Sequence, residues 1–458
     1  MEIKLVHDFW YRRPIPNGIN YRYLEEYLNR TLKDLSSTDL KYGKKSETVW
    51  NGFGNLPDFR SVPISDIKIT DVDKIYLFRI CICGGGHDSF GGPYSLTEGY
   101  TFLEFISKKA INYIKNFPNF YLFIDFTNEG VTESVFLDNL YKDLVRLGIP
   151  FNKVVFITGD YNIDTVLKEW LVQNDRKSDK IHTIYSTWSY PSKQFDYISS
   201  NNFVKLNTIN LNKDIKRLHK FLIFNRRIRN HRFYSILYFY YHDLIKDMLI
   251  SYDLSIDSNI EYDYNTIKHL FDVNENSLST IYEDLVTTKQ KLTIDIDDIT
   301  KAFGIGCEDS IDPFLNSYIH ITSETSVFHR SGYLSEKTWK PIANLQPFIM
   351  MGSHRSLEVL KDMGFKTFHP FIDESYDLVE SNEDRYVMVL QEIKRLSTLS
   401  IDEIHSWYYS IQDILKHNQD VFFSKKTLGN YKNKVIRDIF DIHDPDMVLP
   451  EISKKRII

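Results

Sequence analysis

The densest group of chemistry-bearing side chains in this chain is the run from Phe224 to Arg232, FNRRIRNHR, with four arginines inside seven residues. An apolar stretch, KFLIF, precedes it and a helical pattern follows, so the guanidinium groups fall between the end of a strand and the start of a helix. Backbone N–H groups and the helix dipole already favour an anion at such a place. Arginine adds a planar, two-pronged donor that fits phosphate oxygens. Arg226, Arg227 and Arg232 are therefore candidates for holding a phosphorylated ligand, against the competing reading of a solvated basic turn. A second candidate is Ser335-Glu336-Lys337, which opens another predicted helix. A nucleotide presents a ribose diol and phosphates, and adjacent carboxylate and ammonium groups could meet both. Taken alone, such a start more often means an N-cap with exposed charges. Glu324 ends a predicted strand at 317–324 and could line the same pocket.

These groups need a frame, and the hydrophobic pattern predicts one. Apolar strands at 74–83, 121–126, 154–160 and 182–188 alternate with helical stretches at 96–116, 132–147 and 163–173. Short strands separated by helices of ten or more residues indicate βαβ units and a parallel sheet. A second alternation begins with a strand at 220–227 and a helix at 232–246. After a polar, weakly periodic excursion at 253–312 it resumes with strand 317–324, the helix opened by Ser335, and strand PFIMMGS. Ser353 then reads as the cap of a helix to Met363, ended by Gly364, and KTF as a short strand. Beyond Asp384 the chain reads as helical. The fold class is therefore α/β, with two Rossmann-like lobes facing a cleft and extra C-terminal helices. The expected divisions are 1–205, 206–385 and 386–458. Ligands of open parallel sheets sit at the carboxyl ends of the strands, where the candidate residues fall.

Composition narrows the classes. With 458 residues, 42% hydrophobic and 26% charged, the chain can bury two moderate cores. The 30 Tyr and 31 Phe against 14 Pro and 19 Gly argue for filled interiors over long disordered segments. A net charge of -6 gives no global reason to expect a nucleic-acid partner, although a local basic path would suffice. The three cysteines, Cys81, Cys83 and Cys307, make no even framework and no zinc set, which predicts free thiols and a cytoplasmic location. The N-terminus shows no signal-peptide pattern, and no run reaches the roughly 18 apolar residues of a membrane span.

Further motifs carry a resemblance. GYLSEKTWKPIANLQPFI, from Gly332 to Ile349, resembles the donor-binding segment of fucosyltransferase-like glycosyltransferases of GT-B type, where a (Ser/Thr)-Glu-Lys triplet starts a helix. The closer resemblance is to phage and giant-virus glycosyltransferase-like proteins. These combine an Asn-Arg-Arg-x-Arg-x-His-Arg segment with Glu-Lys-Thr-(Phe/Trp)-Lys-Pro-Ile, then Gln-Pro-Phe-Ile and Gly-Phe-Lys-Thr-Phe. All four occur here in order, over roughly residues 120–370. The resemblance implies a glycosyltransferase, hexosyl or fucosyl in type, acting from a host cytoplasm if viral. The donor would be a GDP- or UDP-linked sugar and the acceptor a hydroxyl of a glycan, a protein or a modified DNA base. It further implies that Glu336 bonds the donor ribose and Lys337 neutralises the diphosphate. Arg226 or Arg227 would stabilise charge on the departing nucleotide, without a metal or other cofactor.

An inverting transfer also needs a base within reach of the acceptor hydroxyl. Asp125 and Glu129 in IDFTNEG stand at a predicted strand end, and His87 and Asp88 lie in the glycine-rich stretch GGGHDSFGGP; His7 and Asp8 are further rivals. A strand-end acid is more often a cap or turn residue, and the choice stays open. The glycine-rich stretch lacks both the dinucleotide fingerprint and a P-loop lysine, so it reads as a loop able to contact an acceptor. Asp-x-Asp strings occur at Asp71/Asp73, before a strand, and at Asp295/Asp297, in the polar excursion; neither predicts a metal site. The aromatic run at 233–244 reads as core. Two other functions compete: a non-enzymatic virion or glycan-binding protein with a degenerate transferase fold, and a nucleotide-dependent hydrolase or epimerase.

Overall fold

A computed structural model describes residues 2–7, 61–67, 73–81, 103, 106–127, 132, 134–176, 180–186, 213–254, 275–294 and 312–444. The chain divides into two compact units, Met1–Lys193 with Leu428–Ile458, and Gln194–Thr427. Both are α/β units built on a mainly parallel sheet, as the alternating pattern predicts.

The first sheet contains β1 (Glu2–His7), β2 (Ser61–Pro63), β3 (Lys74–Cys81), β4 (Phe120–Phe126), β5 (Val154–Thr158) and β6 (His182–Tyr185), in the order β2-β1-β3-β4-β5-β6, all parallel. The helices between strands are α1 (Lys108–Asn116), α2 (Ser134–Leu147) and α3 (Ile163–Gln173). From β3 to β6 every step moves the same way across the sheet, and right-handed crossovers then stack the connecting helices on one face. That face is the larger core: Phe120, Leu122, Ile124 and Phe126 of β4 pack with Ile114, Leu140, Leu144 and Trp170. The alternate residues Tyr121 and Phe123 point the other way, to a core closed by Val435, Ile439 and Phe440. Gly148 ends α2 with φ of 63°, in the left-handed region where a side chain would be strained.

The second sheet contains β7 (His219–Arg227), β8 (Met248–Asp253), β9 (Lys291–Leu292), β10 (Ser317–Ser323) and β11 (Phe348–Met351), in the order β11-β10-β7-β8-β9. Only β9 is antiparallel. The chain steps from β7 to β8 through α4 (Asn230–Tyr241), passes α5 (Glu275–Thr288), β9 and the single turn α6 (Asp312–Leu315), then returns to the other side of β7. From β10 it steps outward to β11 through α7 (Glu336–Ala343). Steps in opposite directions put α4 and α7 on opposite faces, so a topological switch point lies between β7 and β10. Contacts agree: Ser235 of α4 reaches Met351 Sδ at 3.5 Å, whereas Thr338 of α7 reaches Met350 Sδ, on the other face, at 3.8 Å.

After β11 come α8 (Ser356–Asp362), α9 (Asn382–Ser397), α10 (Ile401–Ser410), α11 (Gln412–Phe423) and α12 (Lys425–His443). Ser353 is not the side-chain cap of α8. Arg355 enters the helix with φ of 65°, and the carboxylate of Asp377 accepts the N–H groups of Leu357 and Glu358 instead. The expected strand at KTF is irregular chain, because Asn418 takes both backbone groups of Lys366 and Glu374 accepts Phe368 N–H. Within the expected polar excursion, α5 packs against α4, with Tyr282 set edge-on to Phe233. The aromatic run of α4 is core: Phe233, Tyr234, Tyr238 and Phe239 are buried. Among the described residues no helix is long and apolar enough to cross a membrane.

Candidate functional site

The residues of interest in the second unit meet at the carboxyl edge of β7 and β10. Strand β7 ends on Arg226 and Arg227, with a register shift against β8 between Asn225 and Arg227. The irregularity breaks the ladder where the arginines leave the sheet. Three residues later α4 begins. Its N-cap position, Arg229, makes no side-chain cap, and its first turn carries no acidic residue. The N–H groups there keep their positive end unmet by any side chain of the cap. Arg232, in the same turn, is buried and donates to the Ser323 carbonyl at 3.0 Å, tying the helix start to the end of β10.

On the opposite face, α7 opens differently. Ser335 is its N-cap, accepting from Lys337 N–H at 3.4 Å. The buried carboxylate of Glu324, only 1% exposed, accepts three bonds: Ser335 N–H at 3.0 Å, Ser335 Oγ at 2.5 Å and Thr338 Oγ1 at 2.7 Å. Three donors on two oxygens anchor this residue to α7, so it sits behind the edge as a brace. Glu336 and Lys337 remain half-buried, and Lys337 Nζ bonds Glu336 Oε1 at 2.7 Å and Ser335 Oγ at 3.1 Å. Burial alone would raise the Glu336 carboxyl, but the adjacent Lys337 and the nearby Lys340 more than offset it and hold it below its ordinary value. The pair therefore offers an ionised carboxylate and an ammonium side by side at a helix start.

Beneath the start of α4 lies a polar patch whose members were not marked as site residues in reading the sequence. Asn225 is 0% exposed, and among the described residues neither its Oδ1 nor its Nδ2 has a hydrogen-bond partner. The same holds for Ser323 Oγ and for His231 Nε2. Register puts Asn225 and Ser323 on one face: Ile223 pairs with Ile321, two residues earlier on each strand. It is the face that α4 covers, since Tyr252, paired with Asn225, bonds Tyr240 of α4 at 2.8 Å. His231 stands in the first turn of α4, and its ring bonds the backbone carbonyl of Glu324. Burial, then the charges of Arg232 and Arg229, push its pKa well below the ordinary histidine value. The available signal was the polar residue closing an otherwise apolar strand, KFLIFN.

In the first unit, Asp125 is the last residue but one of β4 and is fully buried. It accepts from Arg79 Nε at 3.1 Å and Nη2 at 2.5 Å, and from Thr127 Oγ1 at 2.7 Å. Burial would raise its pKa, but Arg79 and Thr127 together bring it below the ordinary carboxylate value. This is the geometry of a structural ion pair. Asp160, beyond β5, accepts the N–H groups of Thr132 and Asn162, and burial carries it up to about 6 against those bonds. Glu129, His87, Asp88, Asp8, Asp71, Asp295 and Asp297 lie outside the described residues, as do the side chains of His7, Arg226 and Arg227.

Neither a protein-family model nor a curated protein matches the chain. Two solved structures are similar at low identity. One is the glycosylation associate protein (Gap123) complex from Streptococcus agalactiae, at 11% identity over 75% of this chain and 54% of that one, with a TM-score of 0.26. The other is α,α-trehalose 6-phosphate synthase from Burkholderia multivorans, at 8% identity over 96% of this chain and 98% of that one, with a TM-score of 0.38. The chain spans about half the length of the first of these.

Proposed function

We propose that the chain is a glycosyltransferase that binds a nucleoside-diphosphate sugar at the carboxyl edge of its second sheet and passes the sugar to a hydroxyl acceptor. One observation carries the proposal. The starts of α4 and α7 flank the switch point between β7 and β10 from opposite faces, with Glu336 and Lys337 together on one side and the arginine run on the other. Open α/β sheets bind nucleotides at such points.

In this reading Glu336 accepts the ribose hydroxyls. Lys337 exchanges its bond to Glu336 for the diphosphate, joined by Arg226 or Arg227. Cleavage of the bond between sugar and phosphate leaves a nucleoside diphosphate whose extra charge these cations and the α4 N-terminus stabilise. The acceptor hydroxyl loses its proton to a base, for which Glu129 is the first candidate and His87 or Asp88 the next. Transfer then proceeds with inversion and no metal. The acceptor is a glycan, a protein or a modified DNA base, and the place of action is a cytoplasm, a host's if the chain is viral. We also propose that 1–205 is the acceptor side and 206–385 the donor side.

Isothermal titration of the full chain with UDP, GDP and their sugar conjugates tests the donor site. Lys337→Ala and Arg226→Ala should each weaken binding about 10- to 100-fold, the worth of one charge-assisted bond to phosphate. Unchanged affinity in both would remove the phosphate role. No binding of any nucleotide by the unaltered chain would instead favour the non-enzymatic reading.

A further inference from the structure

The open hydrogen-bonding groups beneath α4 have a chemistry that differs from the cations around them. His231 donates through Nδ1 to the Glu324 carbonyl, because Nε2 is the ring atom left without a partner. A neutral ring with its proton on Nδ1 presents a lone pair at Nε2, which can only accept. Asn225 presents one acceptor and two donors, and Ser323 a hydroxyl able to do either. A phosphate group is acceptor-only and would face repulsion from the His231 lone pair and the Asn225 carbonyl. A group that both donates and accepts at neighbouring atoms satisfies the whole set, and a vicinal diol is such a group. All three residues are buried, so the unmet groups carry a desolvation cost that a fitting ligand relieves.

We infer that Asn225, Ser323 and His231 form a hydroxyl-reading subsite that recognises a vicinal diol of the donor, next to the cationic groups that take its phosphates. The inference rests on the nucleotide-sugar reading above and assigns that site three further specificity residues. Two parts of such a donor carry the required diol, the ribose and the transferred sugar, and the same measurement separates them.

The test compares the unaltered chain with Asn225→Leu by titration against inorganic pyrophosphate, UDP, GDP, UDP-glucose and GDP-fucose. Leucine keeps the number and branching of the side-chain heavy atoms and removes no protein hydrogen bond, so the variant should still fold, which its melting curve checks. If the diol belongs to the ribose, the variant binds UDP or GDP about 10- to 100-fold more weakly, while pyrophosphate affinity is unchanged. If it belongs to the sugar, only the sugar nucleotide weakens. His231→Asn, whose amide takes the place of Nδ1 beside the Glu324 carbonyl and removes Nε2, should show the same pattern and guards against a packing effect peculiar to Asn225. Equal weakening toward pyrophosphate would make the contact a phosphate contact and overturn the inference. Unchanged affinity for every ligand that the unaltered chain binds would overturn it too and leave the nucleotide-sugar reading standing. Failure of the unaltered chain to bind any nucleotide would overturn both.

Discussion

Glu324→Gln is the substitution that most directly probes how the second unit holds its candidate site. Two of the three bonds converge on Oε1, from Ser335 N–H and Thr338 Oγ1, and glutamine keeps that oxygen. The third, Ser335 Oγ to Oε2 at 2.5 Å, meets an amide N–H₂ in the variant, so donor faces donor. Ser335 Oγ cannot simply reverse its role, since it already accepts from Lys337 N–H and Nζ. Losing one hydrogen bond to a charged group costs about 1.5–3 kcal/mol. Losing negative charge near a helix N-terminus adds about 0.3–1 kcal/mol. A total of about 2–4 kcal/mol in a unit the size of Gln194–Thr427 lowers its melting temperature by about 4–16 °C, at roughly 2–4 °C per kcal/mol. Calorimetry is the suitable assay, because it can resolve a transition of the second unit from that of the first. Nucleotide affinity should fall as well, as the start of α7 loses its brace. A second-unit transition within about 1 °C of the original would refute the idea that this carboxylate fixes α7.

Other expectations concern the first unit. Asp125→Asn removes the carboxylate that Arg79 bonds and should cost about 3–5 kcal/mol, the usual penalty for breaking a buried pair; unaltered stability with lost turnover would favour Asp125 as the base. Asp160 has its folded pKa raised to about 6, so the folded state holds the proton more tightly than the unfolded one. Its contribution is fully present below about pH 4 and lost as pH rises through about 6, a change of about 3 kcal/mol. Melting curves at pH 4 to 7 should show that loss shrinking in Asp160→Asn, and an identical pH slope would contradict the assignment. Glu129→Gln should bind donor normally yet fail to turn over; normal turnover would shift attention to His87 or Asp88.

The sequence is a good guide where a local rule acts and a poor one where distant residues decide. The apolar strands at β4, β5, β7 and β10 lie within a residue or two of their expected bounds, because buried parallel strands are continuous hydrophobic runs. Helix α3 matches its period and flanking polar residues at both ends. By contrast β1 and β2 escape notice: EIKLVH alternates weakly, and SVP is three residues defined only by its neighbour. The cap of α8 comes from Asp377, about twenty residues on, and no spacing rule near Ser353 can announce it. In the candidate site, residue type placed Glu336, Lys337 and the arginines on the carboxyl edge. Type could not show that Glu324 faces inward onto Ser335, nor that Asn225 is buried with its amide unmet, since both depend on which face of the sheet a residue takes.

The core that closes the back of the first sheet has a consequence for biogenesis. Val435, Ile439 and Phe440 of α12 cover Leu5, Leu77 and Phe123, and Tyr121 bonds His443 at 3.0 Å. A ribosome makes the six strands of that sheet long before it makes their cover. Everything in Gln194–Thr427 has been synthesised by then, so the later-made unit can fold to completion first. During translation one apolar face of the first sheet waits for a helix more than two hundred residues downstream of β6, and it is there that a chaperone would be needed.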